Sequence, residues 1–344
     1  MRWTASAADR RPRAALARRA PDRPVGTPDY HAGVTNPPSG PARLALATCG
    51  ELPDLDPDDR LLRDALVARG IAVDAAVWDD PTVDWASYQH VVVRSTWDYT
   101  ERQAQFVDWA RRVEQTSRLF NPADVIAWNT DKRYLADLEE RGLPIVPTIW
   151  LDPETTMSSR AINSRLPAFG EFVIKPTVSA GSRDTGRYDA SATQQRMLAI
   201  THAKNLMAVG RHVMLQRYLR AVDSVGETGM VFLDGEFSHA VRKSALLEGP
   251  FRAGELDGAL YRDEVITPRE PSAAERELGD RVVAALGEIF GAATPFLYTR
   301  VDVIPDDEGA PVILEVELTE PSLFLEHGGA ESVGRAADAI VGRL

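Results

Sequence analysis

One cysteine, Cys49, stands among 344 residues, so no internal disulfide can form and no thiolate metal cluster can be built. No histidine lies near it in sequence, so Cys49 reads as a small residue at a strand end rather than a nucleophile, and a reducing cytoplasm is the expected compartment. Long apolar runs are missing too: none reaches the roughly 18 residues of a membrane span. Nor is there a basic excess. Lys and Arg total 39 against 51 Asp and Glu, a net charge of −12, which argues against a nucleic-acid backbone as partner because no surplus cation is there to release counterions. At 44% hydrophobic and 26% charged, what remains is a chain long enough for two or three compact units, with oligomeric state open and a dimer compatible.

Residues 1–42 differ from the rest. Seven arginines (Arg2, Arg10, Arg11, Arg13, Arg18, Arg19, Arg23) sit among Ala, Pro and Gly without apolar periodicity. No secretory core is present, and Asp9, Asp22 and Asp29 oppose a transit peptide, so a disordered extension is expected. From Arg43 the pattern turns regular. A buried strand at Leu44–Thr48, a helix carrying Leu61, Leu62, Leu66 and Val67, an alternating strand at Ile71–Val77 and a third at Val91–Val93 form the signature of a parallel α/β sheet. No glycine fingerprint follows the first strand, so a dinucleotide site is unsupported. Ligands in such sheets sit beyond the carboxyl ends of strands. There the third strand ends in Arg94-Ser95-Thr96-Trp97-Asp98-Tyr99, where Arg94 can clamp a carboxylate and Trp97 wall a pocket, or the aromatic rings simply pack the next helix.

Farther along, Thr130 is placed to cap a helix from Asp131 to Arg141. Phe172–Pro176 is a strand that ends on Lys175 and feeds a small-residue loop, Thr177 to Gly186, able to wrap phosphate or to lie as a plain surface loop. Asp234-Gly235 is a strong hairpin turn between Thr228–Leu233 and Phe237–Lys243, and Ser272 with Glu275 makes a capping box. Two runs rich in Val, Ile and Leu then flank the turn Pro305–Gly309. Alternation puts Tyr298, Arg300 and Asp302 on one face and Glu315 and Glu317 on the matching one, against Val312, Leu314, Val316 and Leu318. Carboxylates that close repel and require a cation. Oxygen ligands from two strands suit Mg²⁺; the alternative is a solvated acidic face.

The stretches FNPADVIAWNTDKRYL, EFVIKP, MLQRYL, DGEFSHAVRK, YTRVDVI and LEVELTEPSLFL, in that order and with the RSTWDY loop ahead of them, resemble the ATP-grasp superfamily of carboxylate–amine ligases. They are similar to the branch that contains the O-ureidoserine cyclo-ligase of D-cycloserine biosynthesis, a setting of antibiotic metabolism. The resemblance implies an α/β chain, α+β toward its C-terminus, with a Rossmann-like domain at 43–120, an ATP-grasp lid subdomain at 121–216 and a metal-bearing subdomain at 217–344. It further implies that Lys132, Lys175 and the loop residues Ser179, Gly181 and Ser182 contact ATP phosphates. Gln216, Arg217, Tyr218 and Leu219 would line the adenine, and Asp223 would hold the ribose. Arg242 and Arg300 would be the catalytic cations, Asp302, Glu315 and Glu317 would carry Mg²⁺ or Mn²⁺, and Arg94, Ser95 and Trp97 would meet the substrate. Glu317 departs from the usual Asn ligand of the superfamily, keeping an oxygen donor while adding charge.

The implied activity joins or cyclises an amino-acid-like substrate through an acyl phosphate, with release of ADP. A cyclo-ligase and an intermolecular ligase share these residues; the pocket at Arg94–Tyr99 and the segment Ala245–Asp263 would separate them. The competing class is an MgATP-binding regulatory or assembly protein without turnover.

Overall fold

The computed structural model describes residues 43–252, 260 and 264–344. The Arg- and Pro-rich stretch 1–42 lies outside the described residues, as do 253–259 and 261–263 of the segment Ala245–Asp263. The described chain opens with β1 (Arg43–Thr48), α1 (Pro57–Ala68), β2 (Ala72–Val77), β3 (His90–Val93), α2 (Gln103–Glu114) and β4 (Arg118–Phe120). These strands pair in the order β2-β1-β3-β4, all parallel. β1 alternates between two cores: Leu44 and Leu46 pack with Leu62 and Leu66 of α1, while Ala45 and Ala47 face Phe106, Trp109 and Val113 of α2. Burial on both faces explains its unbroken apolar run. β4, three residues long, was too short for periodicity to reveal.

Next come α3 (Ala123–Asn129), α4 (Tyr134–Glu140), β5 (Thr148–Leu151), α5 (Ser159–Asn163), β6 (Glu171–Pro176), β7 (Gly186–Asp189), α6 (Thr193–Ala208) and β8 (Val213–Arg217), whose strands form an antiparallel sheet ordered β5-β8-β6-β7. Thr130 does not cap α4 as its position suggested; it closes α3, and the chain turns through Asp131–Arg133 before α4 begins. The remainder is α7 (Ala221–Val225), β9 (Glu227–Leu233), β10 (Glu236–Lys243), β11 (Ile266–Pro268), α8 (Ala273–Phe290), β12 (Tyr298–Pro305), β13 (Pro311–Glu317) and α9 (Leu325–Val341). Its antiparallel sheet runs β11-β10-β9-β12-β13.

The expected turn signals act as read. Asp234 and Gly235 take φ of 51° and 81°, which is the left-handed pair a two-residue hairpin requires. Ser272 and Glu275 complete a reciprocal capping box at the start of α8. One expectation fails on the β12–β13 hairpin. A bulge after Asp302 lets Ile313 take the core position opposite Val303. Val312 and Leu314 therefore leave the side of Val316 and Leu318 and join Ile304, Tyr218, Leu219 and Val222 in a separate apolar cluster.

Candidate active site

The bulge leaves the pairing closer to the sheet's entry intact, so Arg300 lies opposite Glu317 and Asp302 opposite Glu315. Arg300, Glu315 and Glu317 line a cavity of about 450 Å³, bordered by strands of both antiparallel sheets and by the segments 56–58 and 97–99 that follow β1 and β3 of the parallel one. Arg300 is buried, and its Nε and Nη2 each donate to a different oxygen of Asp302 at 2.9 Å while Nη2 also reaches Glu317. Lys132 Nζ sits 2.9 Å from Glu315 Oε1 and donates to Ser179 O at 2.5 Å, which ties the phosphate-loop candidate to the hairpin. Lys175, at the end of β6, lines the same cavity.

Each acid's protonation follows its neighbours. Burial would raise Asp302 and Glu315, but Arg300 and Lys243 hold Asp302 below the ordinary carboxylate range, and Lys132 and Lys175 do the same for Glu315. Glu317 goes the other way, to about 7, because burial and the charges of Glu315 and Asp302 outweigh Arg300. Burial lowers the Lys175 ammonium to about 8 despite the attraction of Glu315.

The adenine-strand candidates Gln216, Arg217, Tyr218 and Leu219 border the cavity, as do Ser179, Gly181, Ser182 and Trp97. Gly181 and Ser182 both have φ of 58°, the local twist that lets this loop curl over the cavity.

Four expectations are corrected. Arg242 faces away: its Nε and Nη2 donate to Val225 O and Ser224 O at 2.7 and 3.2 Å. Its neighbour Lys243 points in instead, with Nζ 2.9 Å from Glu227 and 3.1 Å from Asp302. Neighbours on a strand face opposite ways, and a register shift between Phe237 and His239 decides which cation turns inward, so sequence could not choose. Asp223 is held by Arg187 at 3.2 Å and by the Tyr218 hydroxyl, outside the cavity lining, whereas Glu227 lies within it. Arg94 and Ser95 do not reach the cavity: Arg94 is 1% exposed and Ser95 is fully buried, and both bond Asp59, at 2.8 and 2.5 Å. Finally, Asp302 is 1% exposed and bonded through both oxygens, while Glu315 and Glu317 border the cavity. Among the described residues no three acidic, His or Cys side chains gather closely enough to hold a metal by themselves. Two carboxylates fit a hard divalent cation whose other ligands are phosphate oxygens and water.

Sequence reasoning also missed the loop that follows β13. Five consecutive carbonyls there each meet a side chain: Thr319 O meets Tyr298 Oη at 2.9 Å, Glu320 O meets Trp97 Nε1 at 2.9 Å, Pro321 O meets Arg94 Nη2 at 2.6 Å, Ser322 O meets Arg300 Nη1 at 3.1 Å and Leu323 O meets His239 Nε2 at 2.7 Å. Arg94 and Trp97, expected as substrate contacts, thus brace this loop. No local pattern announces such bracing, since its donors come from three separate segments, the loop after β3, β10 and β12.

A parallel sheet followed by two antiparallel sheets around a cavity of lysines and carboxylates is the architecture of the ATP-grasp ligases, and this chain is one of them. A family model for the N-terminal domain of D-cycloserine synthetase DcsG matches residues 44–121. The cycloserine biosynthesis protein DcsG of Streptomyces lavendulae is 37% identical over 308 residues, 88% of this chain and 98% of the relative. The chain belongs to the DcsG family. The crystal structure of D-cycloserine synthetase DcsG matches with a TM-score of 0.78 at 35% identity, covering 88% of this chain and 99% of that one. More distant in sequence, D-alanine–D-alanine ligase from Bacillus anthracis shares the fold with a TM-score of 0.58 at 13% identity, covering 88% and 96%. No helix among the described residues is long and apolar enough to cross a membrane.

Proposed function

We propose that this ligase uses ATP to convert an amino-acid-like carboxylate to an acyl phosphate, releasing ADP, and that a nitrogen of the same substrate then displaces phosphate to close a ring. One observation carries the reading. A single cavity sets four cations, Lys132, Lys175, Lys243 and Arg300, around Glu315 and Glu317, beside the strand Gln216–Leu219.

Phosphoryl transfer depends on positioning and charge neutralisation rather than covalent help from the protein, and this set supplies both. Lys132 and Lys175 grip the phosphates, with Ser179, Gly181 and Ser182 closing over them. Lys243 and Arg300 face the charge that develops on transfer. Backbone groups of Gln216–Leu219 receive the adenine, and Glu227, in place of Asp223, takes the ribose hydroxyls. The sheet β5–β8, which reaches one residue beyond 121–216, is the lid over the nucleotide. Glu315 and Glu317 would hold Mg²⁺, or Mn²⁺ in its stead, and the ion would supply positive charge to offset that of the phosphates. Asp302 serves that site indirectly by orienting Arg300 and Lys243.

Ring closure is favoured over joining two molecules by the likeness to D-cycloserine synthetase along 88% of the chain. The setting is cytoplasmic secondary metabolism. The test is a screen of O-ureidoserine and an amino-acid panel for Mg²⁺-dependent ADP release, with products read by mass. A cyclised product with ADP is expected; AMP release, or turnover unaffected by EDTA, overturns the reading.

A further inference from the structure

Glu320 is the one side chain of the braced loop whose chemistry the preceding account leaves unused. It borders the cavity and is 8% exposed, and Trp97 holds its own carbonyl at 2.9 Å. The carbonyls on either side are pinned by Tyr298 and Arg94, so the backbone carrying it has little freedom. Its carboxyl lies near the buried Tyr99 hydroxyl.

It differs in one respect from the acids that β9 and β13 present to the cavity. Glu315 is paired with Lys132, Glu317 with Arg300 and Glu227 with Lys243, whereas among the described residues no Lys or Arg stands within ion-pair distance of Glu320. A carboxylate clamped by a cation is a poor proton acceptor; an unclamped, buried one is a good base. The charged and titratable groups around it are Glu317 and Glu315 on β13, Lys132 ahead of α4, and Tyr99. Burial first and Glu317 second carry it to about 8. That value places proton uptake in the range where a general base works best.

We propose that Glu320 is the general base of the bond-forming step, positioned by the braced backbone that carries it, an inference that rests on the acyl-phosphate reading above. The attacking nitrogen's lone pair forms the C–N bond to the acyl carbon. Its N–H proton passes to a Glu320 carboxylate oxygen, and the carbon–oxygen bond to phosphate breaks with inorganic phosphate as leaving group. An amide-like nitrogen, such as that of a ureido group, is too weakly basic to attack without shedding that proton, so this substrate class needs such a base.

The test uses the full chain with O-ureidoserine as probe and separates the two half-reactions. Hydroxylamine traps acyl phosphates without needing a base, so hydroxamate reports activation while cyclised product reports ring closure. Glu320→Gln is expected to lower product formation by about 10²- to 10⁴-fold, with hydroxamate formation changed by less than about threefold. Glu320→Asp should recover part of the loss. In the wild-type protein, ring closure should rise with pH to a plateau as Glu320 ionises, and the hydroxamate reaction should lack that limb.

Product formation by Glu320→Gln within about threefold of wild type overturns the proposal, as does an equal loss of both half-reactions, which would mean a structural role. If Glu320→Gln does not fold, a flat wild-type profile for ring closure overturns it alone. Absence of hydroxamate from the wild-type protein overturns the acyl-phosphate reading, and this proposal with it.

Discussion

Arg94 offers a direct contest between two roles. Its guanidinium is 1% exposed, 2.8 Å from Asp59, itself 2% exposed, and 2.6 Å from Pro321 O, with Nη1 lacking a partner among the described residues. Breaking a buried pair from one side strands a charge and costs about 3–5 kcal/mol, whereas replacing both members by apolar groups is often neutral. Asp59→Asn and Arg94→Met should therefore each lower the thermal midpoint by roughly 6–10 °C, taking about 2 °C per kcal/mol for a chain of this size. The double change Asp59→Leu with Arg94→Met should recover most of that loss. Arg94→Met should also lower turnover, because the loop holding Glu320 loses its Pro321 anchor. Differential scanning calorimetry of the three variants, with steady-state kinetics beside it, decides the matter. An unchanged midpoint in Arg94→Met, joined to a KM for the carboxylate substrate raised tenfold or more, would refute this reasoning and restore Arg94 as a substrate clamp.

Other outcomes follow from the same geometry. Lys243→Ala should lower kcat by on the order of 10²-fold or more, as loss of one charge-stabilising donor does, while Arg242→Ala, whose guanidinium binds backbone carbonyls away from the cavity, should cost far less. Lys175, lowered to about 8 by burial, is a cation below that pH and neutral above it, so kcat/KM for ATP should fall as pH rises through about 8, and Lys175→Arg should remove the fall. Gly186→Ala would put a Cβ 2.6 Å from Phe251 N and 2.7 Å from Tyr188 Oη, so it should cost about 1–3 kcal/mol and speed hydrogen exchange along 247–251. Ile313→Ala, fully buried at the bulge, should cost about 2–5 kcal/mol in denaturant unfolding, well above Leu314→Ala at the cavity wall.

The parallel strands, the Asp234-Gly235 turn, the capping box and the acid-bearing hairpin were all legible in the sequence because each is specified locally. A period of two, a left-handed turn pair or a Ser and a Glu three residues apart carries its own physical signature within about ten residues. Strand parity brought Arg300 opposite Glu317 and Asp302 opposite Glu315 for that reason, since parity over a few positions is a short-range rule. The same rule failed past the bulge, where one extra residue exchanged the faces of Val312, Ile313 and Leu314.

Which of Arg242 and Lys243 enters the cavity, and whether Arg94 binds substrate or backbone, were settled by tertiary structure alone. These depend on which groups from distant segments arrive at the same point. Arg94 and Asp59 are 35 positions apart, and Arg94 and Pro321 are 227 apart. A side chain's chemistry is written in the sequence, but its partner is chosen by folding, and for buried charges the partner determines whether the group catalyses, binds or braces.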